Sequence, residues 1–254
     1  MGKFLLICGA GFVAGAMNAL AGGGSFVSLP ALIAAGVPSV AANASSTVAL
    51  FPGGAASAWT YRDGLGPVGT VPLRSLLFIT IVGGAIGAIL LLSTPVETFD
   101  RVLPRLLLLA ALALGFGPRL GDWLRRRWRI TPPAVLTVQF ALAIYGGYFG
   151  GAVGIMMMAV WGLIENRDLK SLNAPRTLLV AAANMMAVLT FVVAQAVQWR
   201  ETAVMLTAAM LGGYGGAQIG RRASAAAVRG GTLLLTIAIT LAFFARAYSR
   251  TPAG

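Results

Sequence analysis

The stretch Asn18–Gly36, NALAGGGSFVSLPALIAAG, sets three consecutive glycines and a serine inside an apolar run. Glycine permits positive φ and close backbone approach, and weakens a helix by about 1 kcal/mol relative to alanine. The triplet therefore predicts a first helix ending near Ala21 and a short one starting near Ser25. Two different proteins fit this stretch. In one, "ALA" followed by glycines is a signal-peptide cleavage site. In the other, a membrane helix is broken where its backbone is needed.

Composition sets the class. The chain has 254 residues, 58% hydrophobic and only 10% charged, with a mean hydropathy of +0.84. A soluble domain carries about a quarter charged residues, so this is a polytopic membrane protein embedded in a lipid bilayer. At about 20 apolar residues per span, the length allows eight to ten transmembrane segments and no sizeable extramembrane domain. The one cysteine, Cys8, excludes an intramolecular disulfide framework. There is no histidine and no cluster of acids, which excludes a conventional metal site and histidine-based catalysis. The reading is thus a non-enzyme without a cofactor. The +12 charge comes from arginines between apolar runs, the distribution of topology determinants and not of a nucleic-acid surface.

The apolar runs fall at 3–21, 24–36, 39–60, 71–92 and 102–118, then at 133–151, 152–164, 174–197, 203–220 and 231–248. The second run of each five is short. Sliding the chain by 130 residues brings Gly24 onto Gly154, Asn43 onto Asn173 and Thr47 onto Thr177, and an offset of 129 brings GGAIGA (83–88) onto GGYGGA (212–217). Five elements per half is an odd number, so the second half enters from the opposite face. The expected architecture is all-α, with two inverted-topology repeats of five helical elements each. Each repeat has three long spans plus a long-short pair, either a broken helix or a hairpin. The first repeat covers 1–118, a basic linker 119–132, and the second repeat 133–254.

The repeat argues against cleavage, because the counterpart of AGGGS in the second half is internal and the start of the chain carries only Lys3 as an n-region. The linker, with Arg119, Arg125, Arg126, Arg127 and Arg129, is expected inside the cell. Counting outward from it leaves thirteen basic residues inside and six outside, with both termini outside the cytoplasm. The parity is the same whether the short elements cross or re-enter.

Candidate chemistry gathers at the breaks. The short helices present free N–H groups and a positive dipole end, which must be satisfied internally or line a cavity. An anion is a natural partner. Gly22, Gly23, Gly24 and Ser25, with Ser25 as a possible cap, form one such end. Gly150, Gly151 and Gly154 form the other. AANASST (41–47) and LNAPRT (172–177) add Asn43, Ser46, Thr47 and Asn173 as neutral donors, or as caps of the helices that follow. Arg176 suits bidentate anion binding, although snorkelling to the surface is the simpler reading. Glycines can also serve helix packing, and Asn18 and Asn184 can bond neighbouring helices. Met156–Met158 read as packing residues, and Tyr145 and Tyr148 as residues that pack or line the path. All seven acids fall at or near span ends, so a buried carboxylate relay has no obvious member.

GFVAGAMNALAGGGSFVSLPALIAAGVPSVAANASST and YGGYFGGAVGIMMMAVWGL, the latter followed by LKSLNAPRTLLVAAANMMA, resemble the paired signatures of the TauE/SafE family of sulfite-exporter-like permeases. The resemblance covers nearly the whole chain. It implies transport, often outward, of a small anionic substrate such as sulfite or an organosulfonate. It also maps the family's glycine motifs onto Gly22–Ser25 and onto Gly150, Gly151 and Gly154, and its polar pair onto Asn43 and Asn173. The second half lacks an unbroken glycine triplet, so the two ends are chemically unequal. A non-transporting scaffold, an anion channel and a homo-oligomer are also compatible with the sequence.

Overall fold

The computed structural model describes residues 2–125, 131–161, 169–220 and 225–249. Among them are ten α-helices: α1 (Gly2–Ala21), α2 (Ser25–Ala34), α3 (Ser39–Thr60), α4 (Leu73–Ser93), α5 (Val96–Arg125), α6 (Pro132–Tyr148), α7 (Val153–Trp161), α8 (Asn173–Val193), α9 (Trp199–Gly220) and α10 (Ala225–Ser249). One isolated bridge, Val68 to Val71, is the only extended pairing among the described residues. The protein is an all-α, multi-pass membrane protein. Arg126, Arg127, Arg129, Arg167, Arg221 and Arg222, which carry much of the expected charge bias, lie outside the described residues.

Helices α1, α4 and α8 combine the length and apolarity of a membrane span. At about 1.5 Å per residue, the 22 residues of α3 also have the reach to cross. The helix lies at the centre of the packing, against α1, α2, α5, α8 and α9. Its Asn43, Ser45 and Ser46 are buried and need no lipid compatibility.

The short helices fold back. A Cβ at Gly24 would stand 2.5 Å from the Ala14 carbonyl oxygen and 3.1 Å from Asn18 Cβ, and at the far end of α2 a Cβ at Gly36 would stand 3.4 Å from Lys3 Nζ. Thus α2 runs antiparallel along α1. In the second half, Gly146 faces Val153 and Gln139 meets Met157, so α7 returns along α6 in the same way. Each long-short pair is a helical hairpin. With 10 residues, α2 spans only about half of a 30 Å hydrocarbon layer, and the described part of α7 has 9.

Packing between the halves is interleaved. Helix α1 packs on α9, and α6 on α4; α3 packs on α9, and α8 on α4; α2 meets α10, and α7 meets α5. Each pair becomes the next when every helix is moved five places along the chain.

Helix α5 starts at Val96, earlier than the apolar run at 102 suggested. Glu97, Asp100 and Arg101 obscure the start, yet Phe99, Leu103 and Leu107 form a fully buried stripe at four-residue spacing. Thr94, extended as the residue before Pro95, ends α4. At its other end α5 continues to Arg125, into the stretch read as linker.

Candidate functional site

Both hairpin turns use left-handed backbone, and they do so in register. Gly22 has φ +76° and Ala152, 130 residues on, has φ +59°, with a second left-handed glycine at Gly150, φ +77°. For a residue with a Cβ this conformation costs about 1–2 kcal/mol. Ala152 therefore holds strain at the start of α7 that the first half avoids with glycine. Ala152→Gly is expected to raise thermal stability by about 1 kcal/mol, read as a higher Tm in detergent. Gly22→Ala is expected to lower it.

Beyond each turn the backbone donors are free. The first bonds of α2 come from Phe26 N–H to the Gly23 carbonyl and from Val27 N–H to the Gly24 carbonyl; those of α7 come from Ile155 and Met156 N–H to the Ala152 carbonyl. The N–H groups of Gly23, Gly24 and Ser25, and those of Gly151, Val153 and Gly154, have no backbone acceptor among the described residues. Ser25 does not cap α2. The N-cap is Gly24, itself helical at φ −56°, and no side chain closes the helix end. Ser25 is already the first residue of the helix.

Asn43 and Asn173 are not caps either. Pro38 and Leu172 precede α3 and α8 without a side-chain cap bond. Asn43 lies one turn into α3, where its Nδ2 donates to the Tyr148 carbonyl at 2.9 Å, tying α3 to the last turn of α6. Thr47 Oγ1 donates to the Asn43 carbonyl at 2.9 Å, and Thr177 Oγ1 donates to the Asn173 carbonyl at 3.0 Å. Ser46 and Ser28 share a buried hydroxyl–hydroxyl bond of 2.6 Å. Asn43 and Ser46 are therefore engaged in holding helices together. Asn43→Ala is expected to cost about 0.6 kcal/mol, and at most about 1.7, the range for hydrogen bonds between membrane helices, measured as a fall in Tm.

Two side chains of the second half keep buried polar atoms without partners near the α7 turn. Arg176, one turn into α8, lays its stem beside the start of α7: a Cβ at Gly154 would stand 3.6 Å from Arg176 Cδ. Its Nε is buried and has no partner, and the only ion pair among the described residues is between Arg62 and Asp63. Asn184 Oδ1 is also buried and unbonded. A Cβ at Gly150 would stand 3.8 Å from it and 3.9 Å from Thr47 Oγ1. The structure thus brings Gly150, Gly151, Gly154, Thr47, Arg176 and Asn184 to one locus. Asn173, at the head of α8, is half-buried, and no bond to its side chain is found among the described residues.

The first-half turn lies close by. A Cβ at Gly24 would stand 3.1 Å from Leu50 Cδ1, and one at Gly53 would stand 3.8 Å from Asn18 Nδ2. Thr47 marks the second-half turn on the same helix. From Thr47 to Gly53 is about 9 Å of helix rise, in the middle of α3. The position matching Arg176 is Ser46, so the first-half turn has no guanidinium.

The family profile described as Sulfite exporter TauE/SafE matches residues 7–243. The chain belongs to the TauE/SafE family. It is 30% identical over 244 residues to a probable membrane transporter protein of Haemophilus influenzae, covering 94% of this chain and 91% of the relative. It is 29% identical to the probable membrane transporter protein ORF9 of a Sinorhizobium species, covering 84% and 80%. It is also 30% identical to the probable membrane transporter protein YfcA of Escherichia coli K12, covering 82% and 77%. No solved structure matches the chain. This TauE/SafE protein is a membrane transporter of the sulfite-exporter-like type, and its small-residue turns stand inside the matched region.

Proposed function

We propose that this TauE/SafE protein exports a small oxyanion, sulfite or an organosulfonate, across the bacterial inner membrane by alternating access, with both termini outside the cytoplasm. The observation that carries the reading is Arg176. A guanidinium whose Nε is buried without a partner beside free N–H groups at a helix start is suited to a charged acceptor. Guanidinium and oxyanion match as a planar fork to two oxygens, and the α7 dipole adds to the attraction. Gly22–Ser25 supplies a second set of N–H groups near the middle of α3, reached from the other hairpin.

Alternating access then needs one packed body to move against another around this locus. The interleaved pairs α1 with α9 and α4 with α6 are natural rigid bodies. Without a central carboxylate, the driving force is the membrane potential, worth about 2.3 kcal/mol per charge per 100 mV. For a monovalent anion that is roughly a fifty-fold ratio across the membrane.

Purified protein in liposomes loaded with sulfite or a sulfonate, under an imposed potassium-diffusion potential, checks the reading. Saturable efflux that accelerates when the interior is negative is expected. Efflux indifferent to the potential, or no flux of any of these anions, refutes it; unsaturable currents would assign a channel.

A further inference from the structure

Two polar atoms in the second half are buried and unbonded on facing helices. Gln139, in the middle of α6, is 0% exposed, and Trp161, the last described residue of α7, is 1% exposed. Gln139 Nε2 donates to Thr80 Oγ1 of α4 at 2.9 Å and lies 3.9 Å from Met157 Sδ. Its Oε1 has no partner, and neither has Trp161 Nε1. Met157 and Trp161 are one turn apart on the same face of α7. The amide of Gln139 thus meets the buried cluster that contains Met157, Trp161, Leu76, Val135 and Leu179.

One of the orphaned atoms is an acceptor and the other a donor. Left dry among aliphatic side chains, each would bear the full desolvation cost of its group. A water molecule accepts from an indole N–H and donates to an amide oxygen, and buried waters typically have about three polar partners. Thr80 Oγ1, already in contact with the Gln139 amide, supplies the third. At the matching positions of the first half stand Gly9, Val27 and Ala31, none with a polar side chain. We propose that α4, α6 and α7 enclose one structural water held by Trp161 Nε1, Gln139 Oε1 and Thr80 Oγ1. That water fixes α7 in place about two turns on from its glycine turn.

The full-length protein in detergent tests this by thermal unfolding of Trp161→Phe, Gln139→Met and the double variant, with Thr80→Val to separate the loss of the Gln139–Thr80 bond. Each single variant is expected to lower Tm by about 3–6 °C. The double variant is expected to lower it by clearly less than the sum, because each single change strands the water and the remaining partner. A rise in Tm in both single variants, the outcome for dry orphaned atoms relieved of their cost, overturns the proposal, and so does strict additivity. An experimental map of the unaltered protein that resolves ordered waters is the second measurement. Density within about 2.7–3.2 Å of both atoms is expected, and its absence or a direct indole–amide bond overturns the proposal.

Discussion

Arg176→Gln is expected to reduce anion transport by roughly ten- to a hundred-fold while leaving the protein folded with an unchanged or higher Tm. A hydrogen bond to a charged group contributes about 1.5–3 kcal/mol, which sets the size of the loss. Stability moves the other way because a half-buried charge without a counter-ion costs free energy in the unliganded protein. A residue kept for packing would show the reverse, a fall in Tm. Arg176→Lys retains the charge but loses the planar fork, so its transport is expected between wild type and glutamine. The measurements are efflux from liposomes and the Tm shift on adding sulfite, which follows mass action and is expected to vanish in Arg176→Gln. Retained flux with a retained ligand shift, or a Tm fall of several degrees, would remove Arg176 from the site.

What was legible in the sequence was local or periodic. The glycine triplet at 22–24 predicts a helix break because glycine alone enters the left-handed region without cost, and Gly22 does so. The 130-residue offset carries that backbone state to Ala152, where no residue-type signal marks it. The direction of the short helices was not legible. It depends on Gly24 reaching Ala14 and Gly36 reaching Lys3, contacts that no hydropathy pattern encodes. Ser25 looked like a cap because serine favours that position, but a helical Gly24 takes it first. Asn43 looked like a donor for substrate, and no sequence pattern shows that its amide also donates to the Tyr148 carbonyl, 105 residues away. For Arg176 the surface reading rested on its place near a span end. The close pass of α7 at Gly154 lies beside its stem, and its Nε is buried while the residue as a whole is half-buried. Asn184 carried no local signal beyond being an amide deep in a span. Its relevance comes from standing beside Gly150.

The glycines that make no turn carry the other large effect. Gly147→Ala and Gly212→Ala are each expected to lower Tm by roughly 5–10 °C or to prevent stable insertion. A Cβ at Gly147 would meet the Gly84 carbonyl of α4, one at Gly212 the Phe12 carbonyl of α1, and one at Gly87 the Ile144 carbonyl of α6. These neighbours are backbone, so no rotamer change relieves the clash, and the helices must separate. Overpacking of this kind costs about 1–3 kcal/mol even where side chains can adjust, and each kcal/mol is worth about 2–4 °C at this chain length. In a bilayer the loss is felt fully, because close approach of helix backbones supplies the dispersion contacts that replace the hydrophobic effect. Gly54→Ala is the control: nothing stands within 4 Å of its Cβ position, and alanine favours the helix, so its Tm is expected to hold or rise. Both sensitive contacts, α4 with α6 and α9 with α1, join a fourth helix of one half to the first helix of the other. The first helix of each half carries the hairpin turn. Loosening either contact is therefore expected to shift the turn as well, so any Gly147→Ala or Gly212→Ala protein that still inserts is expected to bind sulfite more weakly. That would be seen as a smaller ligand-induced Tm shift, while Gly54→Ala keeps the wild-type shift.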